Sequence, residues 1–388
     1  MRVSCKQEHL SRGMSIVGRA VSSRSTLPVL SNIYLGTEEG TLKLAATNLE
    51  IGVTAVVMAN VQESGATTVP AKLFGDLVSQ SPPERIELSL DEKSQDLHYR
   101  CASVDATIKG IKATEFPIIP TAEEGQVINI SAPMFKQMID QVAFAAAVDE
   151  SRPILTGVLL RLKDTQLTLA AADGFRLSLR TAHLDQAGDQ EIEVIVPARA
   201  LSELARIVGD ASGDIQLTVT PNRNQLLFRL ESESEEAPIV YVELVTQLIE
   251  GKFPDVQRLI PSDYGTRTVL DTAQLLRAVR RAHIFARDAA NILRLVIKDT
   301  DPGSPGHVLL TAEASEVGEN EEELIGSIEG KGMEVAFNAK YLIDVLNVMP
   351  SGQVALETTS SSTPGVVRPV DGEGFTHVIM PMHIGGGR

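Results

Sequence analysis

The sequence predicts an α+β protein made of three tandem copies of one domain. Three observations carry this. The stretch TLKLAATNLEIGV at 41–53 nearly repeats as TLAAADGFRLSL at 168–179. A Val-Pro-Ala-Lys segment at 69–72 returns as Val-Pro-Ala-Arg at 196–199 and, more faintly, as Phe-Asn-Ala-Lys at 337–340. Helical and strand periodicities also alternate in one order within each copy. A chain of 388 residues is too long for one ordinary core. Units of roughly 125 residues have ordinary domain size and set limits at 1–125, 126–262 and 263–388.

The first copy opens with a helical pattern over 6–20. Pro28-Val29-Leu30 follows, matching Pro153-Ile154-Leu155 in the second copy. Leu42 and Leu44 alternate as in a strand and align with Leu167 and Leu169. A second helix follows the Val-Pro-Ala-Lys segment, over 71–80. Ile86, Leu88 and Leu90 then alternate, a charged turn spans 91–96, and Leu97, Tyr99 and Cys101 alternate in return, as in a hairpin. Glu115-Phe116-Pro117 closes the copy as Lys252-Phe253-Pro254 closes the second.

In the second copy, Phe135, Met138, Ile139, Val142 and Ala146 recur at helical spacing over 132–148. Val158, Leu160 and Leu162 alternate before a polar turn at 163–166. Leu201, Leu204, Ala205 and Val208 mark the second helix. The third copy has helical patterns at 271–287 and 338–348, and its Val308-Leu309-Leu310-Thr311-Ala312 echoes Lys43–Thr47. Two helices and about eight short strands per copy make an α+β arrangement, with the helices sharing one face of the sheet. The segment 299–307 reads as a turn-rich loop. The acidic runs at 231–238 and 313–323 read as solvated edges.

Hydrophobic residues make up 43% of the chain and charged residues 22%, the balance of a soluble globular protein. No apolar run is long enough to span a bilayer, and the charged N-terminus lacks the apolar segment of a signal peptide. Cys5 and Cys101 are the two cysteines, too few for a disulfide framework and suited to a reducing cytoplasm. The net charge of −16 by itself argues against nucleic acid as a partner. Sorting charge by element changes that. The six helical segments hold twelve basic and six acidic residues, a net of +6, so the remainder nets −22. Basic helices on an acidic body suit a phosphate-facing surface. Lysine and arginine are also simply good helix formers, and charge alone does not separate the two readings.

Four motifs in order carry a resemblance: Thr-Leu-Pro-Val-Leu at 26–30, Ala-Asp-Gly-Phe-Arg-Leu at 172–177, Lys-Phe-Pro-Asp at 252–255 and Val-Ile-Met-Pro-Met at 378–382. With the three copies, they make essentially the whole chain resemble the beta subunit of bacterial DNA polymerase III, the sliding clamp family. The resemblance implies three clamp domains per chain and a head-to-tail homodimer, a six-domain ring whose helices line a hole for duplex DNA. It implies sequence-independent DNA binding and a cytoplasmic, nucleoid-associated place. The implied partners are the polymerase alpha subunit, the clamp loader and other proteins carrying a clamp-binding motif, such as repair polymerases, mismatch-repair proteins and ligase.

Residue by residue, the resemblance places Arg24, Lys72 and Arg199 on the DNA-facing side, and the charge sorting of the helices adds Lys136, Arg206, Arg277, Arg280, Arg281 and Lys340. The resemblance assigns Ile108, Ile284 and Phe285 to the dimer interface. A pocket for partner peptides would take Leu155, Gly174, Phe175, Arg176, Leu177, Pro254, Arg258, Leu259, Val378, Met380, Pro381 and Met382. There, a short peptide inserts apolar side chains into an adaptable methionine-bearing lining. The chain departs from the family pattern at Ala172, where threonine is common, at Phe175, where histidine or tyrosine is frequent, and at His383, where arginine is frequent. It also extends by four residues, Gly385–Arg388. These departures border the pocket.

Enzyme readings find little. No phosphate loop or dinucleotide fingerprint occurs, and the seven histidines form no metal-binding spacing. Asp173 and Arg176 could suggest acid–base chemistry, but the first copy has Asn48 and Ile51 there. Neither catalytic residues, a cofactor nor a metal is expected. The competing reading is a three-domain protein–protein scaffold that never meets DNA, and the charge on the helices favours the DNA-binding one.

Overall fold

The structure is a computed structural model that describes residues 1–22, 27–38, 40–120, 127–185, 191–220, 224–232, 234, 237–298 and 305–383. The first copy contains β1 (Arg2–Lys6), α1 (Gln7–Val17), β2 (Asn32–Glu38), β3 (Thr41–Thr47), β4 (Ile51–Met58), β5 (Asn60–Glu63) and β6 (Ala66–Pro70). It continues through α2 (Ala71–Gln80), β7 (Arg85–Asp91), β8 (Asp96–Cys101), β9 (Val104–Lys109) and β10 (Ile111–Lys112). The second contains β11 (Val127–Ser131), α3 (Ala132–Val142), β12 (Gly157–Lys163), β13 (Gln166–Ala172), β14 (Arg176–His183), β15 (Ile192–Pro197), α4 (Ala198–Val208), β16 (Asp214–Val219), β17 (Gln225–Glu231) and β18 (Ile239–Gln247). The third contains β19 (Thr266–Asp271), α5 (Thr272–Ala286), β20 (Ile292–Ile297), β21 (Gly306–Ala314), β22 (Gly318–Gly330), β23 (Met333–Asn338), α6 (Ala339–Asn347), β24 (Gln353–Thr358), β25 (Gly365–Pro369) and β26 (Phe375–Ile379).

The repeat is one of hydrogen-bond register as well as sequence. In each copy the strand before the first helix pairs with the strand after the second: β1 with β7, β11 with β16, β19 with β24. The meander between the helices is β2–β3–β4, β12–β13–β14 or β20–β21–β22. The strand that leads into the second helix pairs back onto the meander's first strand, as β6 on β2, β15 on β12 and β23 on β20. The second helix starts at the alanine of the repeated motif each time: Ala71, Ala198 and Ala339. In α4 the buried residues Ala200, Leu201, Leu204, Ala205, Ile207 and Val208 recur at the spacing of one helical face. Asp271 caps α5 by accepting from the Gln274 N–H at 2.7 Å, and Asn338 caps α6 by accepting from the Lys340 N–H at 2.9 Å.

The chain forms two compact bodies. One is Met1–Lys136 with Ala200–Leu248; the other is Gln137–Arg199 with Ile249–Arg388. The contacts thus divide the second copy between two bodies, unlike the even division into three that the sequence suggests. The reason is sheet continuity. In the first body β4 pairs with β18, placing Gly52 opposite Val245. In the second body β14 pairs with β26, placing Leu177 opposite Val378. Each half of the central copy is bonded to a neighbouring copy by a strand ladder.

One local expectation is corrected and another takes a definite form. The helical pattern over 132–148 ends at Val142, and Ala143–Ala145 is a 3₁₀ turn. There the Phe144 carbonyl accepts from Arg176 Nη2 at 2.9 Å and so does not need an intrahelical donor. The acidic run at 313–323 is a solvated edge, as expected, and a regular one. It forms the end of β21, a short turn and the start of β22, a hairpin in which Glu313 faces Glu319. Alternating exposure along β22 lets its carboxylates point to solvent while Leu324 is buried. Within the acidic run at 231–238, Glu231 likewise ends β17. The loop expected at 299–307 largely falls outside the described residues, apart from Pro305 and the start of β21 at Gly306 and His307.

Candidate functional site

The residues that the resemblance assigns to a partner-peptide pocket all lie in the second body. The turn before β14 builds its rim. The Asp173 carboxylate accepts from the backbone N–H of Phe175 at 2.8 Å and of Arg176 at 3.0 Å. Gly174 has φ +94°, a conformation that favours glycine. The Phe175 ring is therefore presented to solvent. The Phe175 carbonyl accepts from the Met380 N–H at 2.8 Å, tying the exposed Met380 to the same rim. Met382 N–H donates to the Ala336 carbonyl at 2.8 Å and anchors the tail past Pro381.

Leu177 and Val378 face each other across the β14–β26 ladder. Both join a buried apolar cluster with Leu159, Ala170, Ala172, Phe253 and Val256. This cluster is the floor. Pro254 and Leu259 are exposed beside it, on the segment carrying Phe253 and Val256. Leu155 is half-buried in a 3₁₀ turn, and its carbonyl accepts from Ala147 N–H at 2.8 Å. Its neighbour Ile154 is the residue of that turn that packs on the cluster. Arg258 points outward and pairs with Asp255 at 3.0 Å. Of the departures from the family pattern, Ala172 lies in the floor, Phe175 on the rim and His383 in solvent. Gly385–Arg388 lie outside the described residues.

Arg176 does not face the pocket as a free cation. Its side chain is only 9% exposed. Nε donates to Asp173 at 3.1 Å, Nη1 to Asp344 at 2.7 Å and Nη2 to the Phe144 carbonyl. Its guanidinium also lies 4.3 Å from the Tyr341 ring centroid and 5.3 Å from that of Phe144. Arg176 thus locks β14 to α6 and to the turn after α3. Sequence reasoning missed this buttress of Asp173, Asp344, Tyr341 and Phe144. The three-residue spacing of Asp173 and Arg176 was visible, but nothing in the chain order points to Asp344, 168 residues later.

Behind the floor, Ser178 Oγ lies 2.6 Å from His377 Nδ1 across the same ladder. Burial, with a smaller contribution from Arg176, drives the His377 imidazole from 6.5 down to about 3. The unfolded chain therefore takes up a proton between those values that the folded chain refuses, so stability falls as pH drops through that window. The expected slope from this group is about 1.4 kcal/mol per pH unit once well below the upper value. Denaturant midpoints across the window measure it. An unchanged slope in His377→Asn would assign the acid sensitivity elsewhere.

Among the assigned DNA-facing residues, Lys72, Arg199, Arg277 and Lys340 are exposed on helices and make no ion pair among the described residues. Arg280 is exposed and donates to Asn347 at 2.6 Å. Arg206 pairs with Glu203 at 2.6 Å, and Arg281 with Glu322 on β22, so both carry compensated charge. Lys136 is half-buried on α3, and Arg24 lies outside the described residues.

The interface residues divide. Ile284 is 53% exposed near the end of α5, and Phe285 is partly buried against the core of the third copy. Ile108 is 3% exposed, which corrects the expectation of an apolar contact there. β9 alternates, and Ile108 occupies an inward position opposite Leu97. What β9 offers at its edge is backbone, since among the described residues its ladder is with β8 alone. The stretch Gly318–Gly326 of β22 likewise has a ladder on one side only, with β21.

Models of three domain families match the chain in order. They describe the N-terminal, central and C-terminal domains of the DNA polymerase III beta subunit, over residues 1–120, 129–255 and 257–383. The chain is similar to the beta sliding clamp of Synechocystis sp., at 31% identity over 403 residues covering 99% of this chain and 100% of the relative. It is similar to the crystal structure of the DNA polymerase sliding clamp from Bacillus subtilis, with TM-score 0.89, 26% identity and 99% of each chain covered. It is also similar to a sliding clamp of Pseudomonas aeruginosa solved with griselimycin, with TM-score 0.88, 28% identity and coverage of 99% of this chain and 100% of that one. With its three-copy grammar matched end to end, the chain belongs to the DNA polymerase III beta-subunit family, the sliding clamps.

Proposed function

We propose that this protein is a non-catalytic processivity factor, a homodimeric ring of clamp domains at 1–125, 126–262 and 263–388 that encircles duplex DNA and tethers a polymerase to it. The observation that carries this reading is the repetition of one strand joint. The last strand of one meander pairs with the third strand after the second helix of the next copy, as β4 with β18 and β14 with β26. The same rule applied once more pairs β22 with the β9 of a second chain. That closes a head-to-tail dimer, with neither of these two edges left open. Cationic helices then supply weak, sequence-blind phosphate contacts while topology provides retention. The polymerase alpha subunit, the clamp loader and other motif-bearing replication and repair proteins are the partners this reading implies, in the cytoplasm at the nucleoid.

The test is retention. Loaded on nicked circular DNA by a clamp loader, the protein is expected to stay on circles and to leave when the circle is cut. Equal loss from both, or equal retention with a steep salt slope, overturns the ring. Ile284→Glu places a charge on the exposed apolar end of α5 and is expected to yield monomers in sedimentation and no retention on circles. A dimer of unchanged stability removes Ile284 from the interface.

For the pocket, the double variant Leu155→Ala with Leu177→Ala is expected to weaken a partner peptide by about a hundredfold while the protein remains dimeric. Equal affinity, measured by fluorescence anisotropy, removes these residues from the pocket.

A further inference from the structure

The first copy repeats the architecture of the partner pocket, and in it a cavity stays open. Tyr34, Ala45 and Thr54 form one row across β2, β3 and β4. Leu159, Ala170 and Leu179 form the same row across β12, β13 and β14, each 125 residues later. In both copies the chain leaving the domain crosses this row with the repeated Phe-Pro pair, Phe116-Pro117 in one and Phe253-Pro254 in the other. The turns match as well. Asn48 Oδ1 accepts from the N–H groups of Glu50 at 3.0 Å and Ile51 at 2.8 Å, as Asp173 does for Phe175 and Arg176.

The differences decide what the first copy can hold. Where the second has Leu177, the first has Gly52, and a Cβ there would lie 2.9 Å from Ile119 Cγ2 and from Val245 Cγ1. Ile119 thus fills from within the space that a side chain at position 52 would need. Beside it, a cavity of about 260 Å³ remains, lined by Tyr34, Lys43, Thr54 and Phe116 with Ile118 at its edge. This lies just below the range of about 300 Å³ upward of small-molecule sites and suits a single side chain.

Two further observations point outward. Ile118 is 94% exposed. Leu49, in the turn that matches Gly174, is 51% exposed and sits at φ +76°, a strained conformation for leucine. Among the described residues the Lys43 ammonium bonds one group, its ion-pair partner Glu38 at 3.0 Å, which leaves two of its three donors for a second carboxylate.

We propose that this first-copy cavity is a second docking site for an extended peptide, taking one apolar anchor side chain next to a carboxylate that meets Lys43. It rests on reading the second-copy pocket as peptide-binding. With one anchor position instead of a full groove, it binds more weakly and acts on partners already held by the same protein.

The test titrates the capped peptide acetyl-Leu-Phe-Asp-Glu-amide into the full-length protein carrying labelled isoleucine methyls. Ile118 and Ile119 report the first-copy cavity; Ile154 and Ile260 report the second-copy pocket. Saturable shifts at Ile118 and Ile119 are expected, and they persist in Leu155→Ala/Leu177→Ala. Lys43→Glu is expected to weaken them about tenfold, through lost attraction and new repulsion. Ile118→Ser, at a fully solvated position, weakens the shift at Ile119 without a folding cost. Shifts at Ile154 and Ile260 alone overturn the first-copy site and leave the pocket standing. Shifts at Ile118 and Ile119 alone uphold the site and remove the pocket reading. Shifts at neither pair overturn both.

Discussion

Arg176→Met is expected to lower the melting temperature by about 10 °C, a loss of about 3 kcal/mol, because it removes the cation that Asp173 and Asp344 share. The guanidinium donates to Asp173, Asp344 and the Phe144 carbonyl at once and lies over the Tyr341 ring. Methionine keeps most of the stem volume, so the loss is electrostatic and not a cavity. It leaves two carboxylates facing each other without a cation between them. Arg176→Lys is expected to recover less than half of the loss, since a point charge on a flexible stem does not bridge three acceptors in fixed directions. The turn at Asp173 loosens in the same variant, and Phe175 with it, so partner-peptide affinity falls alongside stability. Differential scanning calorimetry measures the first effect and anisotropy the second. A melting temperature within a degree or two of the wild type would show that the buttress contributes little.

That arginine also shows where sequence reading stops. The helices were legible because their periods are strong: all six expected segments contain helices, and the second helix of each copy begins at the same motif alanine. The copies were legible because strands repeat with side-chain identity, as in Leu42 and Leu44 against Leu167 and Leu169. The strand joints were not. Pairing β4 with β18 or β14 with β26 is a choice made by edges about two hundred residues apart, and no local pattern encodes it. The same holds for Ile108. An isoleucine on an edge strand reads equally well as interface or core, and its parity in β9 decides for core. The acidic stretch after Glu313 was legible as a solvated edge but not as a strand, since an antiparallel edge strand can carry a carboxylate at nearly every exposed position.

The floor of the pocket lies between these cases. Leu177 and Val378 come from the resemblance, while Phe253 and Val256 belong to the same cluster and were not assigned to the pocket. Their signal was present in the repeated Phe-Pro pair at 116–117 and 253–254, which marks a segment held against the sheet in both copies.

Removing the charge of Lys72, Arg199, Arg277 and Lys340 together, each to alanine, is expected to flatten the salt dependence of DNA binding. If each meets one phosphate, the slope of log affinity against log salt drops by about 3 to 4, at about 0.9 per contact on duplex DNA. These four are exposed and make no ion pair among the described residues, so their charge is available to a phosphate. Arg281, held by Glu322, is the internal control, and Arg281→Ala alone is expected to change the slope little. The net charge of −16 does not oppose this. Screening confines exposed charges to about 10 Å at 0.1 M salt, so a phosphate near the helices feels those cations more than a remote acidic surface. Salt titration on short linear duplex separates this contact energy from ring topology, because linear ends let the protein leave. On circles, the same variant is expected to remain loaded at low salt, since retention there depends on closure of the dimer. A slope equal to wild type, with the dimer intact, would remove the four residues from the DNA-facing side and leave topology alone to account for retention.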